Sequence, residues 1–176
     1  MSLSDELTRL EITWRWFSLK TLLIAAFAVL WNGFMFHWYG NLPANAPLIA
    51  ILFPLLHVGV GVGLAYQALT GFVNRTRIRV DDTMLTVRHG PLPWIGNRDI
   101  DRWDVKQLYV SERVSRGRGG ANVSFDVRLV TNTGRNVRLV RGMPEREQAL
   151  YVEHKIENHL KIDDAVMPGE VPKARN

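Results

Sequence analysis

From Thr21 to Asn74 the chain runs for 54 residues without one Asp, Glu, Lys or Arg. On both sides the pattern changes to short stretches in which apolar and polar residues alternate. A bilayer core about 30 Å thick is crossed by about 20 apolar residues in a helix, so the charge-free run is long enough for two crossings. Residues 21–39 (TLLIAAFAVLWNGFMFHWY) supply the first span and residues 48–73 (LIAILFPLLHVGVGVGLAYQALTGFV) the second. Between them GNLPANAP is turn-forming and too short for a domain. The pattern therefore predicts a transmembrane hairpin that returns the chain to the side it came from. Pro54 removes one backbone donor and predicts a kink in the second span. Gly59 and Gly63, four residues apart, share a helix face and allow close approach, either to the first span or to a second copy or partner.

Beyond the spans the period is two. Ile78 and Val80, then Met84 to Arg88, predict a hairpin around the Asp81-Asp82 turn. HGPLPWIG (residues 89–96) interrupts it. A strand through Val105, Leu108 and Val110 ends near Arg113, SRGRGGAN forms a flexible tip, and Val123 to Val130 alternates strictly. Asn132-Thr133-Gly134 turns the chain into Asn136 to Val140. The period then becomes helical: Pro144 fits a first helical position, and Ala149, Val152, Ile156 and Leu160 lie on one stripe. Residues 163–176, with two prolines, read as a mobile tail. At the other end Leu10, Ile12, Trp14 and Trp16 alternate with Glu11, Thr13 and Arg15. The strand period is favoured there, and a helix running into the first span is the alternative. The resulting division is a cytoplasmic N-terminal segment over 1–20, the hairpin over 21–73, a folded domain over 74–162 and the tail.

Charge fixes an orientation. Arg9, Arg15 and Lys20 precede the first span, Arg75, Arg77 and Arg79 follow the second, and the connecting loop has no basic residue. The positive-inside bias then places both termini in the cytoplasm. Trp14, Trp16, Phe17, Trp38 and Tyr39 fall where interfacial aromatics belong. A cleaved signal peptide is a poor reading of the first span, because Asp5, Glu6 and Glu11 precede it and a second span follows at once. His37 sits at the interface. His57 is deeper and has no acidic or basic partner in the spans, which argues against a proton pathway.

The net charge is +5, and residues 75–141 carry 14 basic against 7 acidic residues. Arg113, Arg116 and Arg118 surround the glycine-rich tip, with Arg88, Arg98 and Arg102 expected in nearby loops. These six are the candidate contacts to anionic head groups or an acidic partner. Chemistry is otherwise sparse. There is no cysteine, which excludes disulfides and thiolate sites. Gly117, Gly119 and Gly120 are not placed between strand and helix as a phosphate loop requires. His154 and His159 are five apart and share no face. The acidic pairs Asp81-Asp82, Asp99/Asp101 and Asp163-Asp164 are expected in turns or loops. No catalytic, metal or cofactor site is predicted, and no aromatic strand pattern supports nucleic-acid binding.

Short antiparallel strands followed by one amphipathic helix resemble the bacterial pleckstrin-homology-like domain. The residues that carry the likeness are Asn74 to Val80 directly after a span, Gly90-Pro91-Leu92-Pro93-Trp94 after the first hairpin, and Glu147 to Tyr151 in the last helix. The whole chain is similar to small bacterial membrane proteins with such a domain behind two helices. The resemblance implies an α+β protein: a strongly bent antiparallel sheet or partly open barrel, closed by the C-terminal helix, at a bacterial inner membrane. It implies no ligand. The expectation is a non-enzymatic binding or scaffold module with membrane lipid and a protein partner or a second copy as partners. The alternatives are an anionic-lipid sensor and an accessory subunit of a membrane transporter or complex.

Overall fold

The computed structural model describes residues 1–6, 9–117, 120–163, 165 and 167–172. The chain divides into two compact units, one made of residues 1–14, 76–89 and 94–176, the other of residues 15–75 and 90–93.

The second unit is the helical hairpin. Helix α1 (Leu19–Gly40) is followed by α2 (Leu48–Leu52) and α3 (Leu55–Val73). Both Leu19–Gly40 and Leu48–Val73 are long and apolar enough to cross a membrane. Large apolar side chains are exposed, among them Leu23, Phe36 and Leu56. The break between α2 and α3 falls at Phe53-Pro54, where the kink was expected. Proline has no N–H to give the carbonyl of Ala50, one turn earlier. The Trp38 indole supplies the missing donor, with Nε1 3.3 Å from Ala50 O, and the Tyr39 hydroxyl donates to Ile51 O at 2.9 Å. These two rings, expected only as interfacial aromatics, thus satisfy the broken helix.

Two further donors on α1 repeat the arrangement deeper in the hairpin. Trp31 Nε1 reaches His57 O at 2.9 Å, and Asn32 Nδ2 bridges Ala28 O at 2.7 Å and Gly61 O at 3.0 Å. The glycine that makes room is Gly61, where an added Cβ would lie 2.6 Å from Asn32 Oδ1. Gly71 packs in the same way against Thr21. Gly59 and Gly63, the pair expected to pack, have open space around them. At 100° per residue, two positions from Gly61 in either direction turn to the far side of the helix, so these two face away from α1. This corrects the within-hairpin reading of Gly59 and Gly63.

The first unit holds two antiparallel-type sheets. The larger has the order β1 (Ser2–Glu6), β2 (Arg9–Arg15), β3 (Arg75–Val80), β4 (Met84–Gly90), β5 (Arg98–Asp101). The strand reading of Leu10 to Trp16 therefore holds for β2, and β1 adds an edge strand in antiparallel register with it. In sequence the entire helical hairpin lies between β2 and β3, which are neighbours in the sheet. The smaller sheet is β6 (Val105–Gly117), β7 (Gly120–Thr131) and β8 (Asn136–Met143). The strands form two sheets, of five and three strands, where one strongly bent sheet or a partly open barrel was expected. A single 3₁₀ turn, Arg102–Asp104, joins β5 to β6.

Helix α4 (Arg146–Leu160) packs on β6, β7 and β8. Ala149, Val152 and Ile156 are fully buried, joining Leu10, Ile12, Ile78, Val80, Leu85, Leu108 and Leu129 in one apolar core. Part of the segment expected as a mobile tail is fixed instead. The Val171 N–H donates to Val110 O at 2.8 Å, Glu170 bridges to Ser111, and the Arg146 guanidinium donates to the Pro172 carbonyl. The free edge of β6 offers the acceptor, and Val171 buries its side chain in the core.

Candidate binding surface

Five of the six candidate arginines are described; they occupy strands and a turn and fall into two groups. Arg113 and Arg116 lie on the outer half of β6. There β6 and β7 continue in register from Glu112↔Phe125 to Gly117↔Gly120, while β8 ends opposite Phe125. The outcome is a two-stranded ribbon, exposed along β6 from Glu112 and along β7 up to Val123. Val114 and Val123 face each other across it and are half exposed. The strands are longer than their apolar alternation, because backbone pairing continues after the core has ended. Arg118 lies outside the described residues.

Arg113 is less available than its position implied. Its Nη2 lies 3.3 Å from Ser124 Oγ and 3.9 Å from Asp126 Oδ1. Asp126 is buried; its carboxylate accepts from the Gly142 N–H at 2.7 Å and forms an ion pair with Arg138, whose Nε lies 3.2 Å away. Gly142 has φ +66, a conformation glycine enters without steric cost, and this turns its N–H onto the carboxylate. Arg116 is exposed and has no ion pair among the described residues.

Arg88, Arg98 and Arg102 form the second group and are not in free loops. Arg88 on β4 makes a 2.6 Å ion pair with Asp99 on β5 and donates to Arg98 O at 3.0 Å. Asp99, expected in a loop, is therefore a cross-strand partner. Arg98 donates to the carbonyl of Asn97. Arg102 opens the 3₁₀ turn, 3.5 Å from Asp82 and over the Trp103 ring. Arg88 and Arg98 thus belong to the five-stranded sheet, and Arg113 and Arg116 to the three-stranded one.

Two titratable groups near the β3–β4 hairpin are shifted. Asp81 Oδ1 accepts from the N–H groups of Met84 at 2.9 Å and Thr83 at 3.1 Å. Those bonds, with help from Arg79, hold its carboxyl below the usual range. His89 is half-buried, with Nδ1 2.9 Å from Thr76 Oγ1. Burial, then the charge of Arg98, lowers its imidazole.

Two residues that the helical stripe did not single out are Glu153 and Glu157. Both are buried on the sheet-facing side of α4, and Glu157 accepts from Gln107 Nε2 at 2.8 Å. The signal was present: residues 149, 152, 153, 156 and 157 complete an i, i+3, i+4, i+7, i+8 face, and only their charge set the two acids aside. Among the described residues no three of His, Cys, Asp and Glu are grouped to hold a metal ion. Comparison with known proteins finds neither a family model nor a curated protein that matches the chain.

Proposed function

We propose that the protein is an integral membrane protein of a bacterial inner membrane, with both termini cytoplasmic, that presents its two-sheet unit as a non-enzymatic binding module of the pleckstrin-like kind. The β6–β7 ribbon is its contact surface for a partner protein. The observation that carries this reading is the ribbon itself: two paired strands that run past β8 and expose an apolar cross-strand pair, Val114 and Val123, beside Arg116. An exposed two-stranded edge is normally blunted by charge; an apolar pair flanked by Arg116, which has no ion pair among the described residues, matches a partner with an acidic rim around an apolar centre. The two apolar helices and the basic residues outside them support the anchoring and its orientation.

The absence of cysteine makes the test direct. In cells, Asn45→Cys should react with a membrane-impermeant maleimide and Ser2→Cys only after lysis. A photo-crosslinking residue placed at Val114 should give one discrete protein adduct that Arg116→Glu removes. Labelling of Ser2→Cys from outside would overturn the orientation. No adduct at Val114, or one indifferent to Arg116→Glu, would overturn the binding surface.

A further inference from the structure

We infer that the root of the helical hairpin is a binding site for the head-group phosphate of an anionic phospholipid, formed by Arg15, Lys20 and Arg75. The inference rests on the membrane reading above but not on the ribbon. The unit made of residues 15–75 and 90–93 contains no Asp or Glu and only three Lys or Arg, which are these three. All lie at one end. Arg15 closes β2, Lys20 is in the first turn of α1, and Arg75 opens β3. Three contacts bring their backbones together: the Trp16 N–H donates to Asn74 O at 3.2 Å, the Phe17 and Phe72 rings meet at 5.7 Å, and Thr21 packs on Gly71. The loop at the other end of the hairpin, 40–47, carries no charge.

The neighbouring cations are already matched. Glu11 pairs with both Arg9, at 2.8 Å, and Arg77, at 3.0 Å, and Asp81 pairs with Arg79. Arg15, Lys20 and Arg75 are exposed and have no carboxylate within ion-pair distance among the described residues. These three exposed cations have no counter-charge in their own unit and are open to an anion from outside. Guanidinium groups bind phosphate through paired donors. The surrounding surface selects a lipid over a soluble anion, because Phe17, Leu19 and Leu23 are exposed beside the cations and offer apolar contact to acyl chains.

A cation at an anionic membrane surface contributes about fivefold in binding, so removing three should cost roughly a hundredfold in preference for anionic lipid. The test is native mass spectrometry of the full chain in detergent, offered phosphatidylglycerol and phosphatidylcholine with identical acyl chains. The wild type should retain phosphatidylglycerol preferentially. Arg15→Gln/Lys20→Gln/Arg75→Gln should lose the preference while keeping phosphatidylcholine adducts, which shows that the hairpin is still folded. Arg15→Lys/Arg75→Lys should retain most of the preference, and Arg88→Gln/Arg98→Gln all of it. A triple variant with the wild-type lipid ratio, or displacement of the lipid by millimolar inorganic phosphate, would overturn the site. A chain that stays monodisperse without detergent and retains neither lipid would overturn the membrane reading beneath it.

Discussion

Replacing Gly61 by alanine tests how the two spans hold together. The new methyl carbon would sit 2.6 Å from Asn32 Oδ1, 3.1 Å from Asn32 Cγ and 3.0 Å from Trp31 Cδ1. Asn32 cannot yield cheaply, since its amide nitrogen already bridges Ala28 O and Gly61 O. Breaking an interhelical hydrogen bond within the membrane costs about 0.6–2 kcal/mol, and displacing packed side chains about 1–3 kcal/mol. The helix preference for alanine over glycine returns up to about 1 kcal/mol. The net expectation is destabilisation of about 1–3 kcal/mol. Gly59→Ala and Gly63→Ala meet nothing within 4 Å, so only the propensity gain applies, and the sign reverses or vanishes. Unfolding by SDS in mixed micelles can be followed through the near-UV signal of Trp31, identified by difference from Trp31→Phe, because that indole stacks near His57 and bonds its carbonyl. A double-mutant cycle sharpens the test. Asn32→Ala removes the two Asn32 contacts, so Gly61→Ala should cost at least about 1 kcal/mol less in that background. Additive effects, or equal effects at Gly59, Gly61 and Gly63, would refute the assigned helix rotation.

Two further expectations concern the sheets. The folded state lowers the His89 pKa below the unfolded value of 6.5, so the unfolded chain binds the extra proton; the neutral ring's contribution is complete above about pH 6.5 and is lost as pH falls from there toward the folded pKa. Thermal melting of the full chain should therefore decline over that window and flatten in His89→Gln; an unchanged profile would discount the Thr76–His89–Arg98 environment as its cause. Asp126→Ala removes the acceptor of the Gly142 N–H and the buried ion-pair partner of Arg138 and should cost about 2–3 kcal/mol, a fall in Tm of about 5–10 °C for a chain of this size. Asp126→Asn should cost less if the Gly142 bond dominates, and an equal loss would assign the stability to the arginine pair.

Hydropathy locates the two long apolar helices because it needs only a count of charges over a length. It also finds β2, since Leu10, Ile12 and Trp14 alternate, and the buried stripe of α4. It misses β1: SLSDE has one large apolar residue, and the strand forms by backbone pairing with β2, which no side-chain pattern records. The candidate arginines were legible as charges but not as partners. Arg88 and Asp99 are 11 positions apart, and Arg113 and Asp126 are 13; only the strand register brings each pair together. The glycine spacing named a face but not the direction it turns, because rotation about a helix axis is set by the opposing side chains, here Trp31 and Asn32.

That last point follows from the solvent. In water, two apolar helices associate by hiding from the medium; in a bilayer the acyl chains are as apolar as leucine and remove that drive. What remains is close packing and polar contact. The hairpin supplies both along its length: Thr21 on Gly71, Asn32 on Gly61, Trp31 to His57 O, Trp38 to Ala50 O and Tyr39 to Ile51 O. Every one of the four hydrogen bonds takes its donor from an α1 side chain and its acceptor from the backbone of the second span. The second span therefore needs no polar partner side chain in these contacts, and its sequence can stay apolar and glycine-rich while its rotation is still specified. It follows that α1 carries the polar part of the information for pairing, while Gly61 and Gly71 of α3 make the close approach possible. Substitutions of Trp31, Asn32, Trp38 and Tyr39 should disturb the hairpin more than substitutions of equal size at the outward-facing Leu56, Val60 and Val62 of α3.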